Sequence, residues 1–400
     1  MNILIINSGS TSIKFKLYKM PDEVVVASGK IENIGFDKSI ISFVTKTGTE
    51  KQDDIPITDH RAGLNFIIDK LTNSAIGVIK DKKEIHAVGH RVVNVGDRIN
   101  SHTIINNKIV NIIRDCIDLA PLHNPPELTG IEVSIDVFGK DTLNVAIFDN
   151  IFHKNMPPHS FLYGIPYEYY EKYHIRKYGF HGIAYTYMVG RGSELIGKDS
   201  KDIKIIALML GGGSSITAVK NGISIDTSMG FTPAEGLIMS TRSGDIDPAI
   251  LPYLMIKENI GAKEIDNIIN KESGILGLSK KYSDFVNIQK GVRDKDSDCI
   301  RAFESYCYRI KKYIGAYTAV MDGVDLIIFG GGIGENSSMA RERILSDLNF
   351  LGIKLDKKIN DNNSRGERLI SSSSSRVPVC VVKLDEELIM AKETYNLIRR

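Results

Sequence analysis

The chain has little that would tie it to a membrane, to nucleic acid or to an oxidising compartment. Four cysteines occur in 400 residues, Cys116, Cys299, Cys307 and Cys380. None forms a CxxC pair, so thiol-based zinc and redox motifs are absent and a reducing cytoplasm is the expected setting. The formal net charge is only +2. Its lysines are dispersed, and no nucleic-acid-binding motif stands out, so neither nucleic acid nor a membrane surface is an expected partner. No apolar run approaches the roughly 20 residues that span a bilayer. The N-terminus runs directly into the strand-like Ile3-Leu4-Ile5-Ile6 without a basic segment or cleavage site, so a signal peptide is not expected. Neither GxxxxGK[ST] nor GxGxxG occurs, which disfavours P-loop and dinucleotide-binding domains.

What is present is ordinary for a soluble globular protein: 42% hydrophobic and 25% charged residues, over a length that suits two or three domains. Alternation and apolar runs predict strands over 2–6, 13–18, 24–31 and 40–45, then a helix over 61–71 and a strand over 87–93. Helices over 110–119 and 127–137 flank the proline-rich Pro121–Pro126, and a buried-type strand over 144–148 ends at Asp149. The segment 205–225 repeats the opening order of apolar strand, glycine turn and second strand. Two similar domains about a cleft would explain it; so would chance likeness of two glycine hairpins. Helices follow over 248–258, 263–270 and 298–322, the last with Ile300, Phe303, Tyr306, Ile310, Ile314 and Tyr317 on one side. A strand over 324–329, a glycine turn, a helix over 339–348, a strand over 377–382 and a helix over 386–400 close the chain. The pattern is α/β.

The stretch from Ser224 to Ile250 fits none of these elements. Gly230, Pro233, Gly236 and Gly244 punctuate it, while Met229, Phe231, Leu237, Ile238, Met239 and Ile246 give it apolar anchors. It reads either as a structured surface loop with solvated charges or as a pocket wall. In the second case Arg242 meets an anion and the acids Asp226, Glu235, Asp245 and Asp247 help to position a metal. Three glycine-rich turns each follow an apolar strand, at 7–12, 211–215 and 330–336, a geometry that lets backbone N–H groups approach an anion. Arg91 ends a buried run and needs a carboxylate or phosphate partner, in a structural pair or in a site. His123 lies in the rigid APLHNPP loop and His181 in YGFHG; an isolated histidine is more often a satisfied polar group than a catalyst. Asp149 stands at a strand end, where α/β proteins place ligands. Glu386 and Glu387 open a helix, where the dipole alone favours carboxylates.

In order along the whole chain come INSGSTSIK, GHRVV, APLHNPP, VAIFDNIFHKNMP, KYGFHG, IDTSMGFTP, TRSGDIDP, SGILGLS, GGIGENS and DEELIMAKET. This set resembles the acetate kinase family of short-chain acyl kinases. The resemblance implies two ribonuclease-H-like domains of the actin and sugar-kinase type around a nucleotide cleft, with boundaries at 1–150 plus 385–400 and at 151–384. It implies ATP, ADP and acetate as substrates, Mg2+ or Mn2+ as cofactor, a cytoplasmic homodimer, and direct in-line transfer of the γ-phosphoryl to a carboxylate. Arg91 and Arg242 match the arginines that hold carboxylate and phosphoryl, Asp149 the acid that organises the acetate side, and His123 and His181 the histidines on the phosphoryl path. Asn7 and Glu386 match metal-site residues. Val93, Leu122, Phe180 and Pro233 match the pocket for the substrate methyl. Ser10, Ser12 and Lys14, Gly211, Gly212 and Gly213, Asp284 and Phe285, and Gly331, Gly332, Ile333, Gly334 and Asn336 match the phosphate and nucleotide side.

The departures cluster. Where the family has HLGNG, this chain has Met209-Leu210-Gly211-Gly212-Gly213, and Met209 offers no N–H donor. Tyr185 replaces the second histidine of HGTSH, Asn94-Val95-Gly96 replaces HGG, and Val286 stands where an arginine is expected. The GGG resembles butyrate kinases. A propionate, butyrate or pyrophosphate-linked acyl kinase, and a non-catalytic nucleotide-binding homologue, are the alternatives to acetate kinase.

Overall fold

A computed structural model describes residues 1–46, 48–121, 123–139, 141–362 and 366–399, and at 51–54 the backbone alone. The chain divides into two compact units, Met1–Ile151 with Asp385–Arg400, and Phe152–Leu384. Each is built on one mixed sheet.

The first unit's sheet has the order β5-β4-β3-β2-β1-β6-β8-β7. Its strands are β1 (Asn2–Gly9), β2 (Ser12–Lys19), β3 (Val24–Glu32), β4 (Ser39–Thr45), β5 (Gly48–Ile55), β6 (Ile85–Val92), β7 (Thr103–Ile104) and β8 (Leu143–Phe148). Strands β1 to β5 form an antiparallel meander, whereas β6 runs parallel to both β1 and β8. Two helices cover opposite faces of β6. A Cβ added to Gly89 would collide with Thr394 of helix Glu386–Ile398. The next side chain, His90, points the other way. Its Nε2 bonds Asn144 Oδ1 at 2.9 Å, and the same oxygen accepts from Ser134 of helix Asn124–Phe138. Both helices also pack on β1 and β8, so the interior strands carry near-continuous apolar sequence, as parallel strands covered on both faces do.

The second unit has the order β11-β10-β9-β12-β14-β13. Its strands are β9 (Lys204–Leu210), β10 (Ser214–Lys220), β11 (Ile223–Thr227), β12 (Leu326–Gly330), β13 (Arg368–Leu369) and β14 (Val379–Val381). Strands β9, β12 and β14 are mutually parallel and β10 is antiparallel to β9. Alternate residues supply separate cores. Ile206, Leu208, Ile327 and Phe329 pack beneath the long helix Ser297–Met321, while Ile205, Ala207, Leu326 and Ile328 pack with Tyr185 and Met188 of helix Gly182–Leu195. The order β3-β2-β1-β6-β8 in the first unit therefore recurs as β11-β10-β9-β12-β14 in the second. The repeat suspected from the glycine hairpins is architectural, and the fold is α/β of the ribonuclease-H-like type. Among the described residues no helix is long and apolar enough to cross a membrane.

Several local expectations are corrected. Strands β5, β7 and β13 were not foreseen; their sequences are polar or only two residues long. The helix expected over 110–119 is Asn107–Asp115 followed by a 3₁₀ turn, and the one over 263–270 gives way to a π-helical turn at Ile268–Glu272. The glycine segment after β12 is itself a short helix, Gly331–Asn336. Ile300 is 37% exposed; the buried stripe of that helix instead begins with the small residues Cys299 and Ala302.

Candidate active site

In the first unit, the parallel register brings three candidate residues to one end of the sheet. Ile6 aligns with His90, and Val92 with Phe148, so Asn7, Arg91 and Asp149 gather at the carboxyl ends of β1, β6 and β8. That end is where ligands of open α/β sheets bind. Arg91 Nη2 donates to Asp149 Oδ2 at 2.6 Å, with the arginine side chain 20% and the aspartate 2% exposed. The Asp149 N–H donates to the Val92 carbonyl at 2.9 Å, which anchors the acid to the strand its partner leaves. Burial works against the guanidinium charge, but Asp149, Glu386 and Glu127 together carry the Arg91 pKa above its ordinary value. Arg91 Nε has no hydrogen-bond partner among the described residues, so the cation retains a donor.

Glu127 was not singled out by sequence reasoning. It looks like a carboxylate that merely complements the N-terminus of helix Asn124–Phe138. In the structure it is 4% exposed and its Oε2 accepts from the Val93 N–H at 2.9 Å. Burial pushes its pKa up to about 8, against the pull of Arg91. Val93 is itself buried. An asparagine network braces the same segments. Asn124 Nδ2 donates to the Asn94 and Cys116 carbonyls, and Asn150 Nδ2 donates to the Gly96 carbonyl. The asparagines thus sit beside Val93, His123 and Asp149. Leu122 lies outside the described residues, and half-buried His123 caps the helix start.

Ser10 and Lys14 are exposed and Ser12 is half-buried on the β1–β2 hairpin, with Lys14 opposite Asn7. Glu386 opens its helix after the cap residue Asp385, whose Oδ1 takes Lys16 at 2.7 Å and Tyr18 at 3.1 Å. Glu387 pairs with Lys16 at 3.2 Å, a structural assignment. Burial raises the Glu386 pKa despite Arg91, and a nearby divalent cation would reverse that shift. Among the described residues no group of three His, Cys, Asp or Glu gathers as a metal cage. The amide and carboxylate oxygens of Asn7 and Glu386 fit instead a hard cation that keeps waters and phosphate oxygens as ligands.

In the second unit, the turn Gly211–Gly213 joins β9 to β10, with the Gly211 N–H donating to the Gly213 carbonyl at 3.0 Å. A Cβ built on Gly213 would lie 3.5 Å from His181 Nε2 and 3.7 Å from Arg242 Nη1. Histidine, arginine and glycine backbone therefore meet around one small volume. Burial lowers the Arg242 pKa, and among the described residues no charged neighbour opposes it. Its Nη1 makes a weak contact with Met239 Sδ at 4.0 Å. A desolvated guanidinium without a carboxylate partner is costly unless an anion joins it. His181 has φ +60 and ψ +25 at the start of helix Gly182–Leu195. Met209 is half-buried opposite Ser215 on the paired strand.

The Arg242 loop is irregular, and its acids have partners within the protein. Asp226 pairs with Lys177 at 3.2 Å, and Glu235 accepts from the Tyr163 hydroxyl. Asp245 accepts from the Gly236 N–H and the Tyr313 hydroxyl, each at 2.8 Å, and Asp247 accepts from the Ala249 N–H. Pro233 is half-buried in this loop, and Phe180 is buried beside His181.

Of the nucleotide-side expectations, Gly331, Gly332, Ile333, Gly334 and Asn336 form the short helix after β12, with Gly332 and Asn336 exposed. Gly331 has φ +77, and a Cβ there would lie 2.6 Å from the Leu210 carbonyl, so glycine is required. Asp284 is the N-cap of helix Phe285–Arg293. The Phe285 ring packs on Phe303 and Tyr306, at 5.9 and 5.1 Å, and is part of the core. Val286 is 75% exposed.

Comparison with known proteins places these features in a family context. The profile of the Acetokinase family matches residues 2–392. The chain is 45% identical to an acetate kinase of Halothermothrix orenii over 399 residues, 100% of each chain. Among solved structures, acetate kinase of Porphyromonas gingivalis superposes with a TM-score of 0.94 at 39% identity, covering 99% of both chains. A propionate kinase from Francisella tularensis gives 0.92 at 35% identity, again covering 99% of both.

Proposed function

Because the chain belongs to the acetokinase family, we propose that it transfers the γ-phosphoryl group of ATP reversibly to acetate, giving acetyl phosphate and ADP. An acetate oxygen forms the new bond to phosphorus as the bond to the ADP leaving oxygen breaks. Such a transfer asks the protein mainly for alignment and charge stabilisation. The observation that carries the reading is Arg242: a half-buried guanidinium, without a carboxylate partner among the described residues, beside His181 Nε2 and the Gly211–Gly213 turn. In this proposal Arg242 and His181 take the oxygens of the transferring phosphoryl. Arg91, fixed by Asp149, binds the acid's carboxylate, and His123 lies on the phosphoryl path. The residues proposed for its methyl are Val93, Leu122, Phe180 and Pro233. Asn7 and Glu386 would hold Mg2+ or Mn2+, which neutralises phosphate charge when bound. Ser10, Ser12, Lys14 and the two later glycine turns face nucleotide phosphates, with Asp284 as a helix cap near the nucleotide side. The domain limits 1–150 plus 385–400 and 151–384, the homodimer and the cytoplasmic setting belong to the same proposal.

A propionate preference is the second reading, supported by the likeness to the Francisella propionate kinase. The test is acyl phosphate formation by the purified chain with Mg2+, comparing acetate, propionate and butyrate, each with ATP and with pyrophosphate. Highest kcat/KM for acetate with ATP supports the proposal. A preference for propionate supports the second reading, and folded protein that turns over no pair contradicts both.

A further inference from the structure

Two histidine–serine pairs converge on the dipeptide Phe180–His181. His153 is fully buried; its Nε2 meets the Phe180 carbonyl at 3.0 Å and its Nδ1 meets Ser224 Oγ at 2.7 Å. A carbonyl only accepts, so Nε2 carries a proton. Around His181 the same arrangement recurs with one more member. His181 Nδ1 lies 2.8 Å from Ser215 Oγ, and Ser215 Oγ lies 2.5 Å from the hydroxyl of Tyr185. Tyr185 is fully buried, stacked on Phe152 at 5.8 Å and edge-on to His153 at 5.6 Å. Its ring position is thus set by packing, and the hydroxyl is aimed at Ser215.

Resting on the acyl kinase reading of this site, we propose that Tyr185 and Ser215 are positioning residues that fix the His181 ring as the Nε2–H tautomer. The Tyr185 hydroxyl donates to Ser215 Oγ, and Ser215 donates to His181 Nδ1. The proton on His181 is thereby held at Nε2, the atom beside Gly213 and Arg242 Nη1. The opposite polarity would present a lone pair to an anion whose oxygens only accept, so the relay direction decides whether His181 attracts or repels the ligand. The two pairs act on different parts of one strained residue pair: His153 holds the backbone before His181, and Ser215 holds its side chain. Because Met209, opposite Ser215 on β9, supplies no donor, His181 is the imidazole donor this turn has.

The experiment combines ¹⁵N NMR of histidine-labelled protein with kinetics, for wild type, Tyr185→Phe and Ser215→Ala. Tyr185→Phe keeps the packed ring and removes only the hydroxyl. The wild-type His181 signals, recorded above the ordinary imidazole pKa of about 6.5, are expected to report the Nε2–H tautomer. Both variants should shift toward a mixture, with kcat lowered about 10-fold in Tyr185→Phe and up to about 100-fold in Ser215→Ala, the scale of one misaligned preorganised donor. KM for ATP and for the acid should stay within about twofold, since alignment rather than ground-state binding is lost. An Nδ1–H tautomer in the wild type overturns the proposal, as does Tyr185→Phe with unchanged tautomer or unchanged kcat. The tautomer measurement needs no turnover, so a wild type that fails as an acyl kinase would contradict the function while leaving the relay tested.

Discussion

Arg91 and Asp149 form a 2.6 Å ion pair at the carboxyl ends of the parallel strands β6 and β8, with the aspartate almost wholly buried. The pair is a device for orientation: Asp149 engages Nη2 and is itself tied to the Val92 carbonyl. Replacing Asp149 by Ala leaves a largely buried cation alone, which destabilises by up to about 3 kcal/mol at a partly exposed site of this kind. Denaturant melts of Asp149→Ala should show this loss, and its kcat/KM for the acid should fall by more than 100-fold. Wild-type stability would remove the pair from the folding account.

Glu127 predicts a pH effect of definite sign. Its folded pKa is raised to about 8 from an ordinary 4.5. The folded state therefore binds more protons than the unfolded one between those values, and stability contributed by this group is lost as pH rises from about 4.5 to about 8. Glu127→Gln keeps an acceptor for the Val93 N–H and removes the titration. Compared with wild type, it should gain stability at pH 8 relative to pH 5, measured by denaturant melts at each pH. An equal difference at both pH values would contradict the assignment.

Met209→His places an imidazole at the strand end opposite Ser215. If the lack of a donor limits phosphoryl contact, kcat should rise by about 10-fold or more, within the 100-fold scale of one donor. An unchanged or lower kcat would show that His181 and Arg242 suffice.

Phe285→Ala separates a core role of the ring from a role at the nucleotide surface. Removing an aromatic ring from the core beside Phe303 and Tyr306 should cost about 3–5 kcal/mol of stability. Nucleotide affinity of the folded fraction should change little. A large loss of affinity at unaltered stability would return Phe285 to the nucleotide surface.

The legible parts of the sequence were those where a local rule and the tertiary fold agree. The glycine turns at 7–12 and 211–215 sit between alternating strands, and β1–β2 and β9–β10 are the hairpins they predict. Asp149 was legible because a strand end is a backbone position. Glu127 was not, because a helix-opening carboxylate has a sufficient local explanation, and only the packing of helix Asn124–Phe138 on β6 buries it. Ser215 became visible only through the strand pairing that sets it beside helix Gly182–Leu195. Ile300 was misphased because a 25-residue helix drifts relative to any short apolar pattern, and Cys299 and Ala302 are too small to announce the buried stripe.

The most direct test concerns Arg242, a half-buried cation without a carboxylate partner among the described residues. Arg242→Ala should be assayed for acetyl phosphate formation with and without added guanidinium ion. The account predicts that kcat/KM falls by more than about 100-fold, the scale of a single lost donor, and that guanidinium restores part of it while the fold is unaltered. Near-wild-type turnover in Arg242→Ala would contradict the account.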